Sequence, residues 1–236
     1  MSRTAIWKSI ADTITAEIAQ GHYLSGSKLP TEAALASRFG VNRHTVRHAL
    51  AALASAGVVH ARRGAGVVVA QRPADYALGR RVRFHQNVAS MGRTPSRHVS
   101  RLETRPSSDK EAEALAIEVG SPVHVIEGVS LADGQPLASF RSVFPAERLP
   151  GLLACMAEEP SVTAALLECG VSDYTRASTR VTAKLATAVQ ALTLQVAEGA
   201  PILRAVAINV DAMGVPVEYG TTWFAGDRVS LTVAPD

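Results

Sequence analysis

Apolar residues recur along this chain with two different periods, and the change of period divides it. Ile6, Ile10, Ile14 and Ile18 stand four apart with Trp7 and Ala11 beside them, one stripe of an amphipathic helix over residues 4–20. Gly21 suits the end of that helix. Pro30-Thr31-Glu32 predicts a second start, where Thr31 can cap and Glu32 complements the positive end of the dipole. Ala34, Leu35 and Phe39 give its buried side, and Gly40 breaks the pattern. Asn42 then caps a third helix reaching to about Ala56, with Val46, Ala49, Leu50 and Leu53 inward. Asn42, Arg43, His44 and Arg47 face outward at its start.

Two short helices joined by a glycine turn, the second polar at its N-terminal end, predict a helix-turn-helix. Such a helix start enters the major groove, where arginine bonds guanine edges and asparagine or histidine reach other polar atoms. A merely solvated face mixes charges, whereas no acid stands between Glu32 and Asp75. The following segment, VVHARRGAGVVVA (Val58 to Ala70), places Arg62, Arg63 and Gly64 at the tip of a predicted hairpin. Small residues and arginines at such a tip suit phosphates or a minor groove, so the expected unit is a winged helix. His44 and His48 are one turn apart, but without a third ligand they are better read as groove-side histidines than as a metal pair.

The string from Gly21 to Leu50, G-x-Y-x-x-G-x-K-L-P-T-E-x-x-L-A-x-x-F-G-V-x-R-x-T-V-R-x-A-L, followed by Gly64-x-Gly66-Val67, closely resembles the DNA-binding domain of GntR-family transcriptional regulators. The resemblance implies DNA contacts at Asn42, Arg43, His44, Thr45 and Arg47, and in the wing at Arg63 and Gly64, with Arg62 beside them. Where some members carry an arginine near the start of the second helix, this chain has Ala33.

Beyond residues 71–87, read as a linker region with a proline, a glycine and clustered arginines, the pattern shifts to strands and repeats itself. An offset of 79 aligns Arg97 with Arg176, Arg101 with Arg180, Leu115 with Leu194, Gly120 with Gly199 and Pro122 with Pro201. An offset of 80 aligns Pro136 with Pro216. Each copy reads as strand, helix and hairpin, turning at Asp133-Gly134 and at Met213-Gly214. Two copies predict an antiparallel sheet with helices on one face, hence α+β. The domains are expected as a winged helix-turn-helix over 1–72, a linker over 73–83 and an effector and dimerisation domain over 84–236.

This second part resembles the UTRA effector domain, a chorismate-lyase-like fold, of the HutC branch of GntR regulators. I-E-x-x-x-L-A-D-G-x-P-L (Ile126 to Leu137) and P-V-E-Y-x-x-x-x-F-x-G-D-R (Pro216 to Arg228) carry the likeness. It implies a small anionic or polar effector held near Ser161, Thr163, Glu218, Phe224 and the segment Phe84-His85-Gln86-Asn87. A helix start with hydroxyls is an anion site on physical grounds, though Ser161 serves equally as an N-cap and Glu218 as a strand residue facing water. Sugar-phosphate-sensing members carry two arginines after I-E, where this chain has Gly128 and Ser130. The cation then comes from Arg93, Arg97, Arg141, Arg176 or Arg180. Arg141 is the first choice for a bidentate grip on phosphate or phosphonate oxygens, with an ion pair to a neighbouring acid as its alternative. MGRTPSRHV, TRVTAKLATAVQALTL and EYGTTWFAGDRV most resemble the phosphonate-metabolism regulators (the PhnF type), with amino-sugar phosphate or histidine-pathway sensing as alternatives.

Composition sharpens this division of labour. Residues 1–83 hold 12 Lys/Arg against 4 Asp/Glu, while residues 84–236 hold 12 against 17. A basic first third on an acidic remainder predicts a polyanion-binding module joined to something else. No apolar run approaches the ~18 residues of a membrane helix, and no uninterrupted apolar signal core opens the chain, so the expectation is an unexported, cytoplasmic protein without membrane partners. Cys155 and Cys169 read as buried thiols. With no nucleophile–base arrangement, Gly-rich phosphate loop or metal-ligand spacing, no catalysis, cofactor or metal is expected. The partners expected are double-stranded operator DNA, a small anionic metabolite and a second copy in a homodimer. A purely architectural DNA-binding protein leaves the duplicated acidic half without a task.

Overall fold

A computed structural model describes residues 5–24, 26–62, 66–70, 73–81 and 83–233, excepting the side chains of 61 and 62. The chain forms two compact units, Met1–Arg72 and Pro73–Asp236.

The first unit opens with three helices: α1 (Ile6–Ala19), α2 (Glu32–Phe39) and α3 (Arg43–Ser55). Thr31 accepts a hydrogen bond from the Ala34 amide at 3.2 Å, and Asn42 one from the Thr45 amide at 2.8 Å, which starts α2 and α3 at the predicted residues. Gly40 adopts φ 64°, the left-handed conformation that turns the chain between them. Ile10, Ile14, Leu35, Val46, Leu50 and Leu53 pack into one core with Val59 and Val69. Ile6 of the expected stripe is exposed, since it is the first residue of α1. The wing pairs β1 (Val59–Arg62) with β2 (Gly66–Val69), and residues 26–29 add backbone bonds to the free side of β2.

The second unit contains one antiparallel sheet of six strands in the order β4-β5-β6-β9-β8-β7. The strands are β4 (Pro95–Pro106), β5 (Pro122–Ala132), β6 (Gln135–Pro145), β7 (Tyr174–Leu185), β8 (Pro201–Asp211) and β9 (Pro216–Ala225). The order is a palindrome of the repeat: β4-α5-β5-β6, with α5 at Asp109–Leu115, meets β7-α8-β8-β9, with α8 at Ala188–Leu194. The hairpins β5–β6 and β8–β9 lie inside, so β4 and β7 become the edges.

Two expectations change here. Helices flank both faces, because the segment between the copies supplies α6 (Leu152–Glu158) and α7 (Val162–Glu168). They cover Ile126, Phe140 and Phe144, while Leu115 of α5 packs on Val123, Val125 and Val143, whose side chains alternate to the other face. The linker expected over 73–83 is also partly folded. Residues 74–77 form β3 (Ala74–Ala77), which pairs in parallel with β10 (Val229–Thr232) and buries Ala74 and Tyr76. The alternation Ala74-Asp75-Tyr76-Ala77 is too short to stand out beside Pro73 and three arginines. Helix α4 (Phe84–Ser90) follows. Both cysteines are free and partly buried against the α6–α7 core.

Candidate DNA interface and effector pocket

The outward face of α3 divides by hydrogen bonding. Asn42 and Thr45 engage each other, the Asn42 side-chain oxygen accepting from both the amide and the hydroxyl of Thr45 at 2.8 and 2.9 Å. Arg43 and His44 are exposed, and no ion pair holds Arg43 among the described residues. Arg47 donates through Nε and Nη2 to the two carboxylate oxygens of Glu32 at 3.2 and 2.9 Å, a bidentate pair that depresses the Glu32 carboxyl. His48, one turn past His44, stacks on Trp7 with ring centroids 4.4 Å apart and ties α3 to α1. Arg62 ends β1 opposite Gly66, whereas Arg63 and Gly64 lie outside the described residues.

In the second unit a cavity of about 260 Å³ opens on the sheet face that carries Ser142 and Glu218, beneath α4, α7 and β3. Its floor is polar and buried. Glu218 on β9 accepts from Ser142 on β6 and from the Asn209 amide on β8, both at 2.6 Å. Phe140, Phe224, Tyr76 and Phe84 supply the apolar walls. Tyr76 lies 5.1 Å from Phe224 between ring centroids, and burial pushes its phenol up.

Three arginines reach this cavity, and their partners differ. Arg83 lies 3.7 Å from the Tyr174 ring, donates to the Tyr174 carbonyl at 3.2 Å and approaches Asp173 at 3.6 Å. Arg176 donates through Nε to the Asn209 side-chain oxygen at 3.4 Å. Arg97 lies 4.6 Å from the Phe140 ring, and its buried Nε has no hydrogen-bond partner among the described residues. Burial lowers its pKa against the opposing pull of Glu218. Burial likewise pushes His85 down.

Residues 7–69 match the bacterial regulatory proteins of the gntR family, and residues 90–230 match the UTRA domain. The chain belongs to the gntR family. It is 39% identical over 230 residues to the uncharacterized HTH-type transcriptional regulator RB1450 of Rhizobium meliloti (strain 1021), covering 97% of this chain and 94% of that one. It is 32% identical over 228 residues to the probable transcriptional regulator PhnF of Escherichia coli (strain K12), covering 96% and 94%. The crystal structure of PhnF from Mycobacterium smegmatis superposes with a TM-score of 0.66 at 25% identity, covering 97% of this chain and 98% of that one. This GntR regulator is therefore a DNA-binding transcription factor and not an enzyme; its helix-turn-helix binds DNA and its UTRA domain takes a small-molecule effector. No helix among the described residues is long and apolar enough to cross a membrane.

The expected effector residues fall into two groups. His85, Gln86, Ser161, Thr163, Glu218 and Phe224 line the cavity together. Ser161 also caps α7, accepting from the Ala164 amide at 3.3 Å, and Thr163 bonds the Tyr174 hydroxyl at 3.0 Å. Asn87 donates to the Ala77 carbonyl and bonds the Tyr76 side chain without lining the cavity itself, and Arg93 is held by Asp133 and the Ala132 carbonyl.

Arg141 lies on the other face of the sheet. One residue before Ser142 on the same strand, it points the opposite way and meets Glu111 at 3.2 Å and Glu127 at 3.4 Å. The ion-pair alternative describes it. Strand parity alone carried the missing signal, because Glu218 and Phe224 share their face with Ser142 rather than Arg141. Tyr76, Arg83, Ser142, Tyr174 and Asn209 were not anticipated, since none belongs to a spaced motif. At Gly128, a Cβ would stand 2.2 Å from the His98 carbonyl oxygen and 2.9 Å from the Phe140 ring, so no arginine fits there.

Proposed function

We propose that this regulator is a homodimeric repressor of a catabolic operon for phosphonate metabolism. Its effector carries a phosphonate or phosphate-ester group toward Arg97 and Arg176 and a hydroxyl or ammonium group toward Glu218. The observation that supports this is the Arg97 guanidinium, drawn into a cavity with no partner for its Nε among the described residues. A guanidinium withdrawn from water and left unpaired is unfavourable until an anion completes it. Arg176 reaches the same space from the equivalent position of the second copy. A cavity of about 260 Å³ favours a ligand smaller than those filling typical sites of ~300–1,000 Å³. An amino-sugar phosphate is the second reading, favoured by the buried carboxyl of Glu218, which a ring hydroxyl or amine can reach.

At the other end of the chain, Arg43 and His44 would read base edges or phosphates, with Asn42 and Thr45 fixing the start of α3. Two copies would meet a two-fold operator with half-sites roughly 34–36 Å apart. The test separates the two functions. Arg43→Ala weakens operator binding by roughly 10- to 100-fold at fixed salt, the range of ~1–3 kcal/mol for one arginine–base contact, while ligand-induced thermal stabilisation persists. Undiminished operator affinity in Arg43→Ala and in Arg47→Ala defeats the DNA assignment. In a melting panel of alkyl- and aminoalkylphosphonates, amino-sugar phosphates and inorganic phosphate, stabilisation by phosphonates alone supports the first reading. Stabilisation by the sugar phosphates alone supports the second.

A further inference from the structure

The duplication provides an internal control for the surface of the UTRA domain. At the 79-residue offset, α5 (DKEAEAL) and α8 (AVQALTL) hold their buried positions alike: Ala112 and Ala191, then Leu115 and Leu194. Their exposed positions diverge. Asp109, Lys110 and Glu113 on α5 correspond to Ala188, Val189 and Leu192 on α8. Val189 is 75% exposed and Leu192 82% exposed. Leu185, at the end of β7 beside α8, is 70% exposed. Isolated surface leucines are ordinary, but apolar residues adjoining one another on a helix and the strand before it mark an interaction face.

The edge strands diverge in the same direction. On β4, Arg101 and Arg105 both meet Glu103, and Arg105 also meets Glu111, so this edge is lined with ion pairs. On β7 the corresponding residues are Arg180, Thr182 and Lys184, and the strand contains no acid. From residue 177 to 185 nearly every β7 side chain is exposed. A long edge strand of this kind is a template for pairing unless it is guarded or covered.

The rim of the patch carries both signs. Lys184 and Glu198 are exposed and make no ion pair among the described residues. The Gly199 amide donates to the Ala186 carbonyl at 2.9 Å, which holds the turn bearing Glu198 against the start of α8. An apolar centre flanked by one free base and one free acid is self-complementary. Across a two-fold axis, Lys184 of each copy can meet Glu198 of the other.

We propose that the exposed face of α8, with Leu185 and the adjoining edge of β7, is the surface on which a second copy of this chain docks. The assignment rests on the homodimer reading above and gives it a location. Sedimentation equilibrium of the full chain tests it, with circular dichroism and thermal melting checking that each variant is folded. Leu192→Asp and Val189→Asp, at exposed positions, are expected to weaken self-association at least ~30-fold, as loss of an interface hot spot does. Glu113→Arg, at the position of α5 equivalent to Leu192, leaves association unchanged. Lys184→Glu weakens it and Glu198→Lys in the same chain restores it. Association unchanged in Leu192→Asp, or equally weakened by Glu113→Arg, overturns the surface while leaving the dimer standing. A wild-type chain that is monomeric at high concentration overturns the dimer reading as well.

Discussion

The two copies within the UTRA domain share a backbone plan and differ in what they show to the outside. Both run strand, capped helix and hairpin, and both start the helix with a reciprocal cap. The Ser108 amide donates to Glu111 at 2.9 Å in the first copy, and the Thr187 amide to Gln190 at 3.0 Å in the second. Each helix ends on a non-glycine residue in the left-handed region, Ala116 at φ 54° and Gln195 at φ 52°. Buried positions were held and exposed ones diverged: the first copy bears ion pairs, the second bears valine and leucine. The lesson is that burial and capping set the repeated fold, while the surface of each copy is free to acquire a separate task.

The largest effects should therefore be equal in the two copies. Leu115 and Leu194 are fully buried at equivalent positions. Replacing either with alanine is expected to cost roughly 2–5 kcal/mol in denaturant unfolding. A loss confined to one of them would show that the copies are not energetically equivalent.

Next come the paired arginines of the cavity, where the copies should differ in degree. Among the described residues the Nε of Arg97 has no hydrogen-bond partner, whereas Arg176 already donates to Asn209. Calorimetric titration with the phosphonate selected by the melting panel should show Arg97→Ala weakening binding about 10- to 100-fold, the range of a charge-assisted hydrogen bond of ~1.5–3 kcal/mol. Arg176→Ala should weaken it less. The reverse order would mean that Asn209 orients the decisive cation.

The smallest effect separates the two caps by pH. Arg105, bonded to both oxygens of Glu111, holds that carboxyl down at about 2, against ~4.3 in an unfolded chain. A depressed acid contributes stability that is fully present above the unfolded value and fades as pH falls toward the folded one. Glu111→Gln should lower Tm by ~2–4 °C at pH 7, equivalent to about 1 kcal/mol in a chain of this size. The difference should shrink between pH 4 and pH 2. Gln190→Ala, in the equivalent cap without a charge, should lower stability by an amount independent of pH over that range.

Much of this plan was legible in the sequence because local signals agreed with the fold. Thr31, Asn42 and Gly40 punctuate the helices where side-chain caps and a left-handed turn require them, and the repeat predicted both hairpins. The cavity was less legible. Its residues gather from β3, α4, β4, β5, β6, α7, β7, β8 and β9, and only the pairing register decides which side chains share a face. Arg141 shows the cost of one residue: its neighbour Ser142 faces the cavity, and it does not. The repeat aligned Arg97 with Arg176, but it aligned Arg101 with Arg180 as well and could not say where any of them pointed, so the first choice of cation fell on Arg141. His48 found its role through a long-range contact with Trp7 that no spacing encodes.

The central claim is that an anion bound beside Arg97 governs operator binding. Fluorescence anisotropy on an operator selected in vitro with the purified chain tests it most directly, titrating the chosen phosphonate against wild type and Arg97→Ala. The account predicts that wild type leaves the DNA as ligand is added, while Arg97→Ala binds the operator with wild-type affinity and stays bound at the same ligand concentrations. Release of Arg97→Ala at the wild-type ligand concentration would contradict it.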